Sequence, residues 1–144
     1  MKHKTFIRLL CLLICLLMMS AVSVSAAVPS DDAIMPLWNS IAEIEVSIVF
    51  DGTLGVPLGI ASKQSTADSI EGTLTIYAYV DDEWVYVTHW YNKVTQGTLA
   101  VTGEFDGVSG IRYKAVFDVV AYTDGVAETA SFYHTKTCPT VVSG

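Results

Sequence analysis

Cysteine is nearly missing from this chain. Of three in 144 residues, Cys11 and Cys15 lie in one apolar stretch near the start, which leaves Cys138 alone in the remainder. One cysteine cannot close an intrachain bridge, so a disulfide-stapled scaffold is excluded and the fold must stand on its core. Basic residues are scarce as well, with eight Lys+Arg against 15 Asp+Glu. Three of the eight, Lys2, Lys4 and Arg8, precede the apolar stretch. From residue 27 onward, five bases therefore face all 15 acids, a formal net charge of −10. That balance argues against nucleic acid and anionic membrane surfaces as partners, because both are polyanions. A second apolar run of membrane-spanning length, roughly 20 residues, is also lacking.

What is present begins with a leader. Residues 2–8 are basic, residues 9–19 read LLCLLICLLMM, and residues 20–27 are small. Basic, apolar and small-residue regions in that order are the layout of a secretory signal peptide. Val24-Ser25-Ala26 and Ser25-Ala26-Ala27 both place small residues where signal peptidase requires them, so residues 1–26 are expected to be removed. Leu10 and Ile14 precede the two early cysteines, where a lipoprotein signal would carry a small residue. The product is expected to be secreted and extracellular, with no membrane association after cleavage. Residues 27–39, with Pro29, Asp31, Asp32 and Pro36, read as an irregular leader that ends near Trp38.

Residues 40–136 carry the pattern of strands. Apolar residues alternate over 40–50, 70–80, 84–91, 97–105, 110–122 and 126–134. A seventh, short strand spans Val56, Leu58 and Ile60. Pro57 has no N–H for a ladder, so that strand is expected at a sheet edge. Asp124-Gly125 is a two-residue hairpin signal, and Asp81-Asp82-Glu83 reads as another turn. Residues 137–144 read as a flexible tail, with Cys138 either free or paired between chains. Short strands at this spacing indicate an all-β, antiparallel, seven-stranded β-sandwich, with a barrel as the alternative.

Three positions refine that class. Leu74 sits mid-strand, Trp84 opens the next strand, and Tyr113-Lys114-Ala115 begins a later one. A Cys, a core Trp and a Tyr-x-Cys stand in comparable places in immunoglobulin-like domains. Leu74 and Ala115 are expected to fill the inter-sheet space in place of the cysteines, and Trp84 to pack in the core beside Phe117. Tyr113 is expected to bond a backbone group within residues 104–110.

The motifs Ile70-x-Gly-Thr-Leu-x-Ile-Tyr77, Trp84-x-x-Val87, Gly110-x-x-Tyr113-x-Ala115 and Gly125-x-x-Glu128, with Trp38 ahead of them, resemble small secreted immunoglobulin-like β-sandwich proteins of Gram-positive bacteria. The resemblance implies a fold and an extracellular location. It implies no activity.

Chemistry is thinly signalled. His89 and His134 are the histidines past the leader, and neither accompanies a Gly-x-Ser-x-Gly elbow. No catalytic residue is assigned and no enzyme is expected. Carboxylates gather in turns, above all Asp81, Asp82 and Glu83, but without calcium-loop spacing; Asp is common in turns because it bonds its own backbone. No metal or cofactor is expected. One lead remains. Tyr77 and Tyr79 share the face of their strand opposite the core, and with Tyr91 they could form an aromatic platform for a protein or a glycan. The expected function is therefore a secreted, non-catalytic binding module with an unidentified protein or glycan partner. The alternatives are a small secreted effector, such as an antibacterial protein, and a carbohydrate-binding accessory protein.

Overall fold

The computed structural model describes residues 38–140, which form eight β-strands and no helix. The strands are β1 (Ile41–Asp51), β2 (Leu54–Lys63), β3 (Ser69–Val80), β4 (Glu83–Val94), β5 (Thr98–Thr102), β6 (Phe105–Asp106), β7 (Arg112–Thr123) and β8 (Val126–Thr137). One sheet has the order β1-β2-β5, with β6 also paired to β2, and the other has the order β4-β3-β7-β8. Every pairing is antiparallel. The architecture is an all-β sandwich of two antiparallel sheets. The expected signal peptide and nearly all of the irregular leader lie outside the described residues.

Eight strands replace the expected seven because residues 97–105 do not run as one strand. β5 stops at Thr102, and β6 begins again at Phe105. The Trp90 indole lies against the break, where a Cβ on Gly103 would come within 2.0 Å of it. At the β7–β8 hairpin, Asp124 and Gly125 have φ of 51° and 78°, the left-handed pair that a two-residue I′ turn needs. Asp81 and Asp82 repeat this geometry between β3 and β4, with φ of 50° and 65°.

The core lies between the sheets. Ile70, Leu74, Ile76 and Ala78 of β3 point into it, as do Tyr113, Ala115, Phe117, Val119 and Ala121 of β7. Both faces follow the alternation in the sequence. The Tyr113 hydroxyl accepts the Val108 N–H at 2.9 Å, closing the loop before β7. Leu74 and Ala115, however, do not span the gap between sheets. They belong to adjacent strands of one sheet, Leu74 opposite Phe117 and Ala115 opposite Ile76.

β2 turns its small residues inward and its large ones outward. Gly55, Pro57, Gly59 and Ala61 are buried, while Leu58 is exposed and Val56 and Ile60 are half-buried on the outer side. Small residues face inward because aromatic rings from elsewhere occupy the space above them, Phe117 over Gly59 in particular. Nor is Pro57 on an edge. β2 lies between β1 and the β5–β6 side of the sheet, and Pro57 pairs with Ile48 of β1. β5 pairing ends at Leu58 and β6 pairing begins at Gly55, so the missing N–H falls opposite the gap. The Thr102 hydroxyl donates to the Pro57 carbonyl there.

The start of the tail is also part of the fold. Thr137 pairs with Arg112, and the Cys138 backbone exchanges hydrogen bonds with Ile111 and Gly110. The Cys138 side chain is buried, and its thiol pKa is pushed up by desolvation. No sulfur is exposed there for pairing between chains.

Candidate functional site

A single inserted residue decides which aromatic side chains reach the surface. In the β3–β4 ladder Ile76 faces Thr88, but Tyr77 faces Tyr86, so Val87 is left over as a β-bulge. A one-residue slip moves every following side chain to the opposite face. Thr88 and Trp90 keep the inward phase, and Trp90 packs on the core. Trp84 and Tyr86 are turned outward, beside Tyr79 and Tyr77. Trp84 is therefore not the core tryptophan that its position suggests, and it does not pack beside Phe117.

The outer face of the second sheet thus collects a dense cluster at the end near the β3–β4 turn. The Tyr79 and Trp84 rings lie 5.0 Å apart, and Tyr77 meets Tyr86 edge-on at 6.4 Å. β7 supplies the charge, since Lys114 is the register partner of Tyr77. The Lys114 Nζ stands 4.3 Å from the centre of Trp84 and 5.4 Å from that of Tyr77. The Arg112 guanidinium lies 4.5 Å over Tyr79 and 5.3 Å from Trp84. Cations settle over ring faces because the ring quadrupole is negative there. Neither cation pairs with a carboxylate among the described residues, where Lys93–Glu71 is the ion pair formed. Trp84, Arg112, Lys114, Val116, Tyr133 and Thr135 line an open depression of 510 Å³. Tyr133 is 70% exposed and Tyr86 54%.

Tyr91 stands apart from this cluster. It faces Thr73, four residues from Tyr77 along β3, so about 13 Å separates the two positions. It belongs to a second constellation centred on Glu71. Tyr91 and Tyr122 donate hydroxyl hydrogen bonds to opposite oxygens of that carboxylate at 3.0 Å, and the Lys93 Nζ lies 3.1 Å from Oε2. Lys93 first, then the two tyrosines, hold the Glu71 pKa below the ordinary carboxylate value. In return, Glu71 raises the pKa of Lys93 and of both tyrosines. The expected platform of Tyr77, Tyr79 and Tyr91 thus divides into a cation-bearing aromatic end and a self-neutralised end.

Sequence reasoning missed Trp84, Tyr86, Arg112, Lys114 and Tyr133 as members of this surface. Arg112 and Lys114 were legible on the polar face of their strand. Nothing in the sequence announced that this strand would pair beside Tyr77 and Tyr79.

Elsewhere, polar contacts tie the fold together. Glu128 accepts the Asn39 N–H at 3.0 Å and the Ser40 N–H at 2.6 Å, pinning the chain before β1 onto β8. Those bonds, the Asn39 N–H foremost, hold its pKa low. Trp38 packs edge-on against Phe132 nearby, at 5.6 Å. The His89 Nδ1 lies 2.7 Å from the Tyr86 hydroxyl. Among the described residues, no three His, Cys, Asp or Glu side chains gather where they could hold a metal ion. No family model matches the chain.

Proposed function

We propose that the protein is a secreted, non-catalytic binding module of immunoglobulin-like topology, and that it engages an anionic partner through the outer face of β4-β3-β7-β8. One observation carries this reading. Two of the five basic side chains past the leader, Arg112 and Lys114, sit over aromatic rings on one exposed face without a carboxylate partner among the described residues. In a chain with this acidic excess, two neighbouring cations left unneutralised are a specific attraction for a carboxylate or similar anion. The cations cover faces of Tyr77, Tyr79 and Trp84, so the surface is suited to anion recognition first. Stacking falls to Tyr133 and Tyr86, the more exposed rings.

The immunoglobulin-like assignment is supported by strand order. β1-β2-β5 follows the A-B-E order of such domains, and β8-β7-β3-β4 follows G-F-C-C′. The contact between the B and F strands, a disulfide in antibody domains, corresponds here to Phe117 against Gly59. The Tyr113 hydroxyl, bonded to the backbone upstream of its strand, resembles a tyrosine corner in its bonding, although it stands four residues before Phe117 rather than two. Secretion is supported by the leader of residues 1–26.

The test is a glycan array containing neutral and carboxylate-bearing oligosaccharides, run alongside a growth-inhibition assay with the same purified protein. Binding to acidic probes that is lost in Arg112→Ser/Lys114→Ser and weakened in Tyr77→Ala/Tyr79→Ala is the expected result. Binding that survives both changes would move the site off this face, and growth inhibition without binding would favour the effector reading.

A further inference from the structure

Each outer face of the sandwich carries a pair of like charges, opposite in sign on the two faces and matching in spacing; Asp118, two pleat repeats beyond Lys114, is the carboxylate that shares the outer face of β7. On the first sheet, Glu43 and Glu45 of β1 are exposed and lie in register with Ser62 and Ile60 of β2. Residues two apart on one face of a strand sit about 7 Å apart, so the two glutamates present carboxylates at one pleat repeat. Arg112 and Lys114 on β7 present cations at that same repeat. Among the described residues, neither glutamate is engaged by a cation.

The surroundings are complementary too. Beside the glutamates the first sheet exposes aliphatic side chains, with Val49 58% and Leu58 36% accessible. Glu45, Ser47, Leu58 and Ile60 border an open depression of 240 Å³. Beside the cations the second sheet exposes Tyr133, a ring with an apolar body and a polar tip. An aliphatic, acidic face and an aromatic, basic face on opposite sides of one molecule are a matched pair.

We propose that the occupant of the Arg112–Lys114 face is a second copy of this chain, docked head to tail through its Glu43–Glu45 face. The proposal rests on the reading of that basic face as the binding surface, and it names the partner. The joined surfaces differ and lie on opposite sides, so each docked copy presents a fresh face. Such a heterologous contact does not close, and association is open-ended. The first sheet offers β1 and β2, each roughly 33 Å long, and the five-residue β5, roughly 17 Å; at about 4.8 Å per strand they cover roughly 400 Å² per copy. A total near roughly 800 Å² is below the roughly 1,200 Å² of stable complexes, so each contact is weak and reversible.

Sedimentation velocity on the purified protein, from micromolar to millimolar concentration, tests this directly. Weight-average mass should climb with concentration and pass the dimer without a plateau. Arg112→Ser/Lys114→Ser should remain monomeric, as should Glu43→Gln/Glu45→Gln. An equimolar mixture of the two variants should form a dimer and stop there, because it retains only one intact pair of faces per complex. A mixture that grows beyond the dimer, or variants that associate like the unaltered chain, would overturn the head-to-tail geometry. Monomeric behaviour at every concentration overturns the inference whatever the variants do. If acidic glycans still bind the Arg112–Lys114 face in that case, the proposed function stands; if they do not, it falls as well.

Discussion

Phe117 of one sheet rests on Gly59 of the other. A Cβ added at Gly59 would lie 2.7 Å from Cγ and Cδ2 of the ring, and the ring is fully buried. Two sheets are thereby held at the distance that one aromatic ring against bare backbone allows. Gly59→Ala has nowhere to displace the ring, and overpacking of this kind costs about 1–3 kcal/mol. Phe117→Ala leaves a cavity instead and costs about 3–5 kcal/mol. The pair is coupled, so Gly59→Ala should cost clearly less in a Phe117→Leu background. Urea unfolding of the four chains measures this, and additive effects would show that the contact does not set the inter-sheet distance.

That contact also marks the limit of what the sequence discloses. β3 and β7 were legible because large apolar residues alternate with polar ones, so a single phase fits. In β2 the large residues Val56, Leu58 and Ile60 alternate with Gly55, Pro57 and Gly59, and hydropathy assigns the large ones to the core. The true phase depends on rings arriving from strands distant in sequence. β4 misleads for another reason. Trp84, Tyr86, Thr88 and Trp90 alternate without a flaw, and the bulge at Val87 that divides them leaves no mark in hydropathy. The candidate surface inherits both kinds of blindness. Tyr77 and Tyr79 could be placed by their own strand, whereas Trp84 needed the bulge and Arg112 and Lys114 needed the register.

The bulge makes an ordering of two tryptophans testable. Trp90 packs on the core against Gly103, while Trp84 lies on the outer face under Lys114. Trp90→Ala should destabilise by about 3 kcal/mol, at the lower end for a large aromatic because Trp90 is only partly buried. Trp84→Ala forfeits surface contacts with Lys114, Arg112 and the Tyr79 ring and should cost about 1–2 kcal/mol, less than Trp90→Ala. Thermal unfolding of the two variants compares them. The reverse order would mean that Trp84 is the core residue after all.

Glu71 gives the pH dependence a sign. Lys93, Tyr91 and Tyr122 stabilise its ionised form, so its folded-state pKa lies below its unfolded value of about 4.3. The stabilisation is complete above that unfolded value and is lost as pH falls through the folded one. Glu71→Gln should therefore lower the melting temperature near neutral pH, and the difference from the unaltered chain should shrink on acidification. Lys93→Met should flatten the same difference. A gap between the melting curves that widens in acid would contradict the cluster.

Tyr113 and Val108 join the loop before β7 to its first turn of the ladder. The hydroxyl accepts the Val108 N–H, and the ring stays buried between Phe50 and Phe105. Tyr113→Phe keeps the ring and removes the acceptor, so it should cost about 1 kcal/mol. Amide hydrogen exchange at Val108 should quicken in the same variant. An unchanged melting temperature together with unchanged exchange would remove the hydroxyl from any structural role.

Cys138 offers the last test, because its chemistry depends on whether the chain end is folded. Its thiol is buried, its pKa is raised by desolvation, and its Sγ would stand 3.1 Å from a Cβ at Gly107. A thiol is reactive as the thiolate, and both burial and the raised pKa suppress that form. In the chain from residue 27 onward, where Cys138 is the one cysteine, a thiol-specific disulfide reagent should leave the native protein unmodified and label it at once in denaturant. In the native state, labelling should follow opening of the β7–β8 end and quicken in Tyr113→Phe, which loosens the adjoining loop. Cys138→Ser places a hydroxyl in the same apolar site and should cost about 1–3 kcal/mol. Rapid labelling of the native chain would mean that Cys138 leaves its bonds to Gly110 and Ile111 in solution, and those bonds would then contribute little to stability.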